Sequence, residues 1–497
     1  MLRRIRDSIL ANEKRKAFII KDQEYHYHDF ARYVTGIGQI LRGFKNIRHN
    51  IVGVVTDDCI ETYAALYAIW FEGLTFVPLN PKFPVNRNLE IIKQCDANTI
   101  LYACPDSPHE ILDAAENHAA VKGIMADHAD LSFQPGAVDD ILYILFTSGT
   151  TGTPKGVPIT RGNLEAFVDA FLKRNPSLTT DDRFLQMFDF TFDVSVQCHT
   201  IPLMLGACIC TIPHDQIKYL AVYKVLEQHK VTVAIMVPSV ISFLRPYMKK
   251  IHLPEIRHTI FTGESVPLSL VEEWAGCCPN TFIDDCYGPT EATIYCLSYR
   301  WMKKKEPVKA YHGVVSIGKP YEGITTLVVD EKNMPLPEGV KGELLVAGNQ
   351  VTQGYLNDPG RNSYSFIMLE YRDKKQRFYR TGDLVYYDEE GDYMYCGRMD
   401  NQVQVNGFRV ELGEIEFHTK KIMQAGNCAA VAKPNQAGNM EIFLFVENQM
   451  KNLQEIKDHL QSVLPYYMQP IKVIPVDALP LNINGKTDRN RLTAMIA

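Results

Sequence analysis

Residues 51–80 read IVGVVTDDCIETYAALYAIWFEGLTFVPLN. The segment begins with a strand-like apolar run (IVGVVT), continues with an amphipathic helical pattern (ETYAALYAIWFEG) and ends with a second apolar run (TFVPLN). This alternation predicts parallel strands covered by helices. It returns at 229–264, where HKVTVAIMVPS and RHTIFTGE are strand-like and ISFLRPYMKK between them is helical. The sequence therefore predicts an α/β fold, with a large N-terminal region of α/β subdomains.

The pattern changes toward the C-terminus. From about Lys319, short β-rich runs (TTLVVD, GELLVAG and DYMYCGR) alternate with turns, which predicts a small β-barrel-like part. After Asp400, the segment QVQVNGFRVE, a helix over 414–423, the strand EIFLFVE and the helix LQEIKDHLQSVL predict a compact α+β unit. We therefore expect a core at 1–399 and a small C-terminal domain at 400–497.

The composition is that of an ordinary globular protein. Of 497 residues, 46% are hydrophobic and 22% are charged, and the net charge is −6, which argues against a nucleic-acid partner. The basic N-terminus turns polar too early for a signal peptide, and no run approaches the ~18 apolar residues of a membrane helix. The twelve cysteines lack metal-ligand spacing, which is typical of reduced thiols. We expect a cytoplasmic protein without membrane insertion.

A loop rich in glycine and hydroxyl side chains lies within ILYILFTSGTTGTPKGVPIT, residues 141–160. It follows a strand-forming run. Its glycines allow close backbone approach, and its hydroxyls, its N–H groups and Lys155 can surround phosphate oxygens. The Walker pattern is absent because Gly156 follows Lys155 where that pattern has serine or threonine. The residues themselves thus predict a triphosphate-binding loop of another kind.

This loop and six further motifs resemble the adenylate-forming superfamily, which includes acyl-CoA synthetases, nonribosomal peptide synthetase adenylation domains and luciferases. TSGTTGTPKG resembles the phosphate loop of that superfamily. The resemblance covers the chain from about residue 140 to its end and is greatest for stand-alone amino-acid adenylation enzymes, such as the ligases that load D-alanine onto a carrier protein. The other motifs are FDVS (192–195), YGPTEAT (287–293), GELLVAGNQVTQGYL (342–356), YRTGDL (379–384), GRMDNQVQVNGFRVELGEIE (397–416) and NGKTDR (484–489).

The resemblance implies that the protein uses ATP and Mg²⁺. Thr290 would contact the α-phosphate, Glu291 would hold Mg²⁺, and Lys486 would swing in to neutralise the substrate carboxylate and the developing phosphate charge. Tyr287 would stack on adenine, and Asp383 would accept hydrogen bonds from the ribose hydroxyls. The nucleotide-binding residues implied in this way are Thr147, Ser148, Gly149, Thr150, Thr151, Lys155, Gly263, Glu264, Asp285, Tyr287, Asp383 and Arg398.

The FDVS motif points to the kind of acid that is activated. It matches the form in which amino-acid adenylation domains place an aspartate, here Asp193, against the substrate ammonium. A buried ammonium needs an anionic partner, whereas a fatty acid does not. The other implied pocket residues are mostly apolar and include the bulky Tyr295, which suits a small neutral side chain. They are Val194, Gln197, Ile235, Ile260, Thr262, Cys286, Ile294 and Tyr295.

Together, the motifs predict activation of an alanine-like amino acid, with D-alanine as one candidate, to an aminoacyl-adenylate with release of pyrophosphate. The aminoacyl group would then pass to the phosphopantetheine thiol of a separate carrier protein, since the chain contains no Gly-x-Asp/His-Ser segment of the kind that carries such an arm. Two half-reactions at one site imply a mobile lid that turns about Asp400. Gln404 and Asn406 stand where similar proteins usually have a lysine and a basic or small residue. This departure bears on the details of the thiolation half-reaction and not on adenylation.

Two alternatives remain open. An acyl-CoA synthetase acting on another small carboxylic acid would keep the phosphate chemistry but would leave Asp193 unexplained. A catalytically inactive nucleotide-binding or scaffold protein would have no need to retain the loop lysine, the metal-binding glutamate, the ribose-binding aspartate and the C-terminal lysine together.

Overall fold

The computed structural model describes residues 1–104, 107–134, 136–149, 152–213, 216–302, 307–423, 426–447, 453–482 and 486–496. The strands are β1 (Lys16–Ile20), β2 (Gln23–His26), β3 (Ile51–Val55), β4 (Thr75–Leu79), β5 (Thr99–Tyr102), β6 (Asn117–Ala120), β7 (Ile141–Thr147), β8 (Lys155–Thr160), β9 (Arg183–Gln186), β10 (Cys208–Thr211), β11 (Val233–Met236), β12 (His258–Thr262), β13 (Phe282–Tyr287), β14 (Leu297–Trp301), β15 (Ala310–Tyr311), β16 (Val314–Val315), β17 (Lys319–Pro320), β18 (Ile324–Val329), β19 (Gly342–Gly348), β20 (Phe366–Tyr371), β21 (Lys374–Tyr387), β22 (Tyr393–Arg398), β23 (Gln402–Val405), β24 (Phe408–Glu411), β25 (Cys428–Pro434), β26 (Met440–Glu447) and β27 (Lys472–Val476). The α-helices are α1 (Leu2–Ala11), α2 (Tyr27–Gly43), α3 (Ile60–Phe71), α4 (Val85–Cys95), α5 (His109–Asp113), α6 (Arg161–Arg174), α7 (Asp193–Leu205), α8 (Lys218–Gln228), α9 (Pro238–Leu244), α10 (Leu268–Cys277), α11 (Pro359–Ser365), α12 (Leu412–Ile422), α13 (Leu453–Val463) and α14 (Arg489–Ala494).

The segment 51–80 forms β3, α3 and β4 of a six-stranded sheet with the order β6-β5-β3-β4-β7-β8. The two strands pair in parallel, as predicted. The helix between them is buried on every side rather than amphipathic, because it packs against the strands and also against α2. β7 and β8 pair antiparallel, and the predicted phosphate loop is their connection.

The second large sheet has nine strands in the order β17-β14-β13-β12-β11-β9-β10-β1-β2. The six strands from β13 to β1 in this order run parallel, and the strands at both ends are antiparallel. The carboxyl ends of β9, β11, β12 and β13 therefore meet at one edge. In open α/β sheets this edge is where ligands bind.

The β-rich region predicted from Lys319 contains an antiparallel sheet of β18 to β22, but this sheet is not a barrel. The long strand β21 pairs with β19 along one side and with β20 and then β22 along the other. No pairing between described strands joins β18 to β20, so the sheet stays open. Short strands were correctly predicted, whereas the expected barrel-like closure was wrong because strand spacing does not specify which edges pair.

The residues after Asp400 form a small α+β unit, as predicted. It contains the hairpin β23–β24, the three-stranded sheet β25-β26-β27 and the helices α12 to α14. Its apolar side chains form two clusters of their own. The hairpin turns at Asn406 and Gly407, which both have positive φ (51° and 84°). The boundary at Asp400 itself stays a prediction.

No helix in the described part of the chain is long and apolar enough to cross a membrane. No disulfide joins cysteines in the described part of the chain, and most of the twelve cysteines are buried.

Candidate active site

A cavity of about 140 Å³ lies at the carboxyl edge of the nine-stranded sheet, beside the phosphate loop. Its walls come from the ends of β12 and β13, the N-terminus of α7, the β7–β8 loop and the hairpin β23–β24. Most of the predicted motifs therefore meet here. The predicted site residues that line the cavity are Thr147, Ser148, Asp193, Val194, Thr262, Gly263, Glu264, Asp285, Cys286, Tyr287, Thr290, Ile294, Asp383 and Arg398.

The phosphate loop joins β7 to β8 and offers several donors to an anion. The hydroxyl of Thr147 is buried, and no group of the described residues forms a hydrogen bond with it. A Cβ atom at Gly149 would collide with the carbonyl oxygen of Thr153, so the backbone requires glycine there. Lys155 is buried at the start of β8, and its pKa is lowered by burial and by neighbouring positive charge. Two predicted loop residues, Thr150 and Thr151, lie outside the described residues.

Glu291, the predicted metal ligand, is fully buried. Its Oε1 accepts a hydrogen bond from the Tyr355 hydroxyl (2.7 Å), and its Oε2 pairs with Arg409 Nη1 (2.8 Å). Burial alone would raise the pKa of Glu291, but Arg409 and Lys155 outweigh it and hold that pKa at about 2. Glu291 is therefore a carboxylate at neutral pH, which is the form that binds a hard cation.

Asp383, the predicted ribose ligand, lies between Tyr287 and Arg398. The Tyr287 hydroxyl donates to Asp383 Oδ2, and Arg398 Nη1 donates to Oδ1 (2.9 Å). Arg398 also donates to both carboxylate oxygens of Asp400 at 2.7 Å. Burial raises the pKa of Asp383, although Arg398 opposes this effect. The guanidinium of Arg398 thus links the predicted ribose site to the predicted hinge residue.

Asp193 begins α7 and lies buried in the wall of the cavity. Burial raises the pKa of Asp193 to about 7, although the polar groups of Thr290, Val194 and Ile294 nearby oppose this shift. Within the described part of the chain, Asp193 forms no ion pair with a lysine, arginine or histidine. A cation that entered the cavity would therefore stabilise its charged form.

Four predicted substrate residues, Gln197, Ile235, Ile260 and Tyr295, lie behind the cavity wall rather than on it. The two isoleucines are register partners on β11 and β12. The fully buried Tyr295 donates its hydroxyl hydrogen to Gln197 Oε1, and Gln197 Nε2 finds no partner among the described residues. Since Gln197 is four residues after Asp193 on α7, the Gln197–Tyr295 pair closes the space one helical turn below that carboxylate.

Segment 409–414 of the C-terminal unit contacts the phosphate loop, although sequence reasoning gave it no role. Ser148 Oγ donates to the Arg409 carbonyl (2.9 Å), and the Glu411 N–H donates to Ser148 Oγ (3.1 Å). Lys155 Nζ forms an ion pair with Glu411 Oε1 (3.1 Å). The motif at 397–416 could have indicated this segment, because it lies within that motif.

Glu414 connects the same loop to the N-terminal region. The Gly149 N–H donates to Glu414 Oε2 (3.0 Å), and Arg87 Nη1 pairs with Glu414 Oε1 (2.8 Å). Nothing local in the sequence signals Arg87, which belongs to none of the motifs. Beyond the loop, Glu264 accepts hydrogen bonds from the N–H groups of Ser239 (2.8 Å) and Gly407 (2.6 Å), so the segment that follows β12 contacts the tip of the hairpin.

Lys486 lies away from the cavity in this structure. It is exposed, and its N–H donates to Asn482 Oδ1 (3.1 Å). The neighbouring motif residues Asn484 and Gly485 lie outside the described residues. The hairpin β23–β24 faces the cavity instead, so the catalytic role of Lys486 stays a prediction.

A second cavity, of about 410 Å³, adjoins the first at Phe408, which lines both. Phe408 stacks on Tyr467 with ring centroids 3.9 Å apart, and Phe192 packs edge-on against it. The second cavity is lined by polar and apolar groups together, including Asn80, Asp189, Lys218, Tyr219, Ser239 and Asn406.

These residues fit ATP and Mg²⁺. Phosphate oxygens would find suitable groups in the loop. These are the hydroxyl of Thr147, the turn that requires Gly149 and the ammonium of Lys155. The ionised Glu291 would be a suitable oxygen ligand for a hard divalent cation, and the buried carboxylate of Asp383 would suit hydroxyl groups.

The profile of the family described as AMP-binding enzyme matches residues 6–356. The chain belongs to the AMP-binding enzyme family. This AMP-binding enzyme is 30% identical to one of the linear gramicidin synthase proteins of Brevibacillus parabrevis. The match covers 96% of this chain but only 6% of the length of that relative. It spans 13% of a plipastatin synthase protein of Bacillus subtilis (28% identity over 96% of the chain). Zwittermicin A synthase ZmaJ from Bacillus cereus is 28% identical over 96% of the chain and 92% of its own length.

Two solved structures resemble this AMP-binding enzyme over nearly its whole length. The Vibrio cholerae adenylation domain AlmE, in complex with glycyl-adenosine-5'-phosphate, matches with a TM-score of 0.86 and 26% identity, covering 99% of this chain and 97% of AlmE. PA1221, a nonribosomal peptide synthetase protein with adenylation and PCP domains, matches with a TM-score of 0.84 and 25% identity, covering 99% of this chain and 83% of PA1221. The predicted superfamily and the predicted α/β fold with a small C-terminal domain are confirmed.

Proposed function

We propose that this AMP-binding enzyme uses ATP to activate a small amino acid and then transfers the aminoacyl group to a carrier-protein thiol. The buried carboxylate of Asp193 carries the proposal. Among the described side chains no cation pairs with it, and a substrate ammonium would supply that partner. A carboxylic acid without an amino group would leave the charge uncompensated.

In the first half-reaction, an oxygen of the amino-acid carboxylate attacks the α-phosphorus of ATP. The bond from that phosphorus to the bridging oxygen breaks, and pyrophosphate leaves. Asp193 would orient the amino acid through its ammonium, and the neighbouring Thr290 would contact the α-phosphate. Lys155 would hold the leaving phosphates with the backbone of its loop.

Two further charges would assist this step. Mg²⁺ on Glu291 would neutralise phosphate charge. Lys486 would neutralise the attacking carboxylate once the C-terminal domain (400–497) has turned relative to the core (1–399). We propose Asp400 as the hinge for this movement because the Arg398 side chain joins it to Asp383 in the site.

In the second half-reaction, the thiol sulfur attacks the carbonyl carbon of the adenylate, a thioester forms, and AMP leaves with the electron pair of the broken acyl–phosphate bond. The cavity beside Phe408 supports this step, since Phe408 lines both cavities and a thin thiol-bearing arm would reach the reaction site past it. A separate carrier protein with a phosphopantetheine arm fits this route. The combination of adenylation and PCP domains in PA1221 supports a carrier protein as the acceptor.

The closed base of the pocket favours a small neutral side chain. The Gln197–Tyr295 pair fills the volume below Asp193, so we propose an alanine-like substrate, with D-alanine as one candidate. The glycyl group bound by AlmE supports a small substrate. A difference of one methylene group changes the preference of a pocket for one substrate over another only modestly. Glycine and serine should therefore react roughly ten- to two-hundred-fold less efficiently than alanine.

ATP–pyrophosphate exchange tests the proposal. Exchange is measured with D- and L-amino acids, and with acetate, propionate and fatty acids as controls, before and after chelation of Mg²⁺. Alanine should give the fastest exchange, and chelation should abolish it. Faster exchange with propionate would favour the acyl-CoA synthetase alternative, and preference for phenylalanine would contradict the pocket assignment.

A further inference from the structure

The loop between β13 and β14 contains two consecutive residues in a backbone conformation that their side chains rarely allow. Thr293 has φ +56° and Ile294 has φ +72°. Both residues are β-branched, and a positive φ is a genuine outlier for such residues. A conformation of this kind persists only where the surrounding structure holds it. The kink at 293–294 therefore needs groups that keep it in place.

The buried side chain of Gln350 supplies hydrogen bonds to this kink. Its Nε2 donates to the carbonyl oxygens of Tyr295 (3.1 Å) and Ala292 (3.3 Å), and it lies 3.5 Å from the carbonyl oxygen of Thr293. In return, the Thr293 hydroxyl donates to the backbone carbonyl of Gln350 (2.5 Å). The side chain and the backbone of Gln350 thus both bind the kink.

These contacts also determine the orientation of the Gln350 amide. Carbonyl oxygens only accept hydrogen bonds, so the amide nitrogen must face them. The amide oxygen, Gln350 Oε1, is buried, and no group of the described residues donates to it. A buried acceptor without a donor is unfavourable. The side chain of Gln350 therefore serves at this position as a donor alone.

The kink connects two side chains of the proposed amino-acid pocket. Ile294 lines the cavity at the carboxyl edge of the nine-stranded sheet, and Tyr295 binds Gln197 behind the cavity wall. A change of φ at the kink would move both side chains, because they follow one another directly. Glu291 is held separately, since its carbonyl oxygen accepts a hydrogen bond from the Thr352 N–H (2.9 Å).

We propose that Gln350 is a positioning residue for amino-acid recognition. It does not line the cavity. It acts by holding the kink at 293–294, so that Ile294 and Tyr295 keep the positions that define the amino-acid pocket. The inference rests on the proposed function, because it requires that an amino acid binds between Asp193 and these two residues.

ATP–pyrophosphate exchange by the variant Gln350→Met tests the positioning role. Methionine keeps the length of the side chain but removes both N–H donors. The KM for alanine should rise roughly ten-fold or more, since small displacements of positioning groups have large effects, while the KM for ATP stays at the wild-type value. The matched control is Gln353→Met, the same substitution at an exposed position of the same segment. It should leave both constants unchanged.

A second substitution, Thr293→Asn, should rescue the Gln350→Met variant. Asparagine adopts a positive φ more readily than a β-branched residue, and its side chain has an N–H for the backbone carbonyl of residue 350. The double variant should therefore regain most of the affinity for alanine, and Thr293→Asn alone should resemble the wild type. A double variant no better than Gln350→Met would reduce the effect to lost packing and would contradict the inference.

Hydrogen exchange gives a readout that needs no substrate. The amides of residues 292–296 should exchange faster in Gln350→Met than in the wild type and in Gln353→Met, because the kink is released. Should Gln350→Met not fold, Thr293→Val removes only the hydroxyl donor and should give the same changes to a smaller extent.

Unchanged hydrogen exchange in this loop, or a wild-type KM for alanine, in whichever of these two variants folds would overturn the inference. A wild-type protein that catalyses pyrophosphate exchange with no amino acid would instead contradict the proposed function. The hydrogen-exchange comparison would then still decide whether Gln350 holds the kink.

Discussion

Among single residues, we expect Asp193 to couple proton binding to amino-acid binding. Burial raises its pKa to about 7 against the effect of nearby polar groups, so the carboxyl of the free protein changes charge near neutral pH. An ammonium placed against the carboxylate favours its ionised form and lowers that pKa. Amino-acid affinity and protonation are therefore linked.

We expect amino-acid binding to weaken at acidic pH. Below about pH 7 the carboxyl of the free enzyme carries a proton that the ammonium must displace, so the dissociation constant should rise about ten-fold per pH unit. Above that pH the carboxylate is already ionised, and the affinity should level off. Calorimetric titration across this range measures the effect. Asp193→Asn should bind amino acids weakly at every pH and keep its ATP affinity, whereas a flat wild-type profile would refute the coupling.

We expect Tyr295 to set the size limit of the proposed amino-acid pocket. Tyr295→Ala should admit larger neutral amino acids, because it removes the ring that closes the base and the hydrogen bond to Gln197. Removal of so large a buried side chain should also lower the free energy of unfolding by about 3–5 kcal/mol. The matched variant Tyr295→Phe removes only the hydroxyl and should keep the preference for alanine. Pyrophosphate exchange over the amino-acid panel, with urea unfolding alongside, separates the two effects.

Lys486 should matter for only one half-reaction. Because the residue is exposed, Lys486→Ala should leave the fold intact. It should lower adenylation by roughly two to three orders of magnitude, as does loss of one preorganised donor. Thioester formation from pre-made adenylate should change little. The control is Lys472→Ala, at another exposed lysine of the C-terminal unit; equal losses in both half-reactions would argue against the assignment.

Among the elements, the hairpin β23–β24 determines which groups enter the cavity. Its turn at Asn406 and Gly407 brings Phe408 and Arg409 to the wall. The tip is held at Gly407, whose N–H donates to Glu264 (2.6 Å) and whose backbone lies against Val237. A short turn thus decides how closely the C-terminal unit approaches the core.

Gly407→Ala should impair this approach. The residue has φ +84°, and an added Cβ would lie 2.6 Å from Val237 Cγ1. We expect thioester formation from pre-made adenylate to fall roughly ten-fold, since left-handed backbone costs about 1–2 kcal/mol and the collision adds to it, while pyrophosphate exchange changes little. Gly438→Ala is the matched control, because it has φ +87° with nothing within 4 Å of its added Cβ. Similar thioester rates in the two variants would remove any role for the close approach.

For the whole molecule, the contacts between core and C-terminal unit describe one of the two arrangements that the proposed reaction needs. Arg409, Glu411 and Glu414 face the core, while Lys486 faces solvent. In the proposed mechanism, adenylation would need the face of the C-terminal unit that carries Lys486 to turn toward the core. A rotation near Asp400 would exchange them, as in hinge-type domain movements.

Asp400→Pro should separate the half-reactions. Proline fixes φ near −65° and should hold the C-terminal domain in one orientation, so that one half-reaction survives and the other fails. Asp400→Ala removes the same ion pair with Arg398 but leaves φ free, and it should retain both. Separate assays of adenylate formation and thioester formation distinguish these outcomes. An unchanged overall rate in Asp400→Pro would exclude a hinge at this residue.

Local patterns predicted much of this architecture. The run at 51–80 predicted β3 and β4, and the hydroxyl-rich loop predicted the β7–β8 connection at the cavity. The docking of Glu414 on Arg87 could not be predicted, because these residues are 327 positions apart and the ion pair has no local signature. The sequence also predicted a barrel-like part where the sheet β18–β22 has open edges. This prediction was wrong because the sequence of a short strand does not specify which strand pairs with it. The position of Lys486 depends on the orientation of the C-terminal unit, which no local pattern encodes.

The pairing of β1 has a consequence for synthesis of the protein. Phe18 of β1 lies opposite Ile209 of β10, so β1 cannot enter its sheet until about 190 further residues have been made. At ribosomal rates of roughly 5–20 residues per second, this delay lasts about 10–40 s. During that time the strand AFII, which is buried in the finished sheet, has no parallel neighbour. The nascent chain therefore carries an apolar segment that chaperones can bind, and the nine-stranded sheet is completed late in translation.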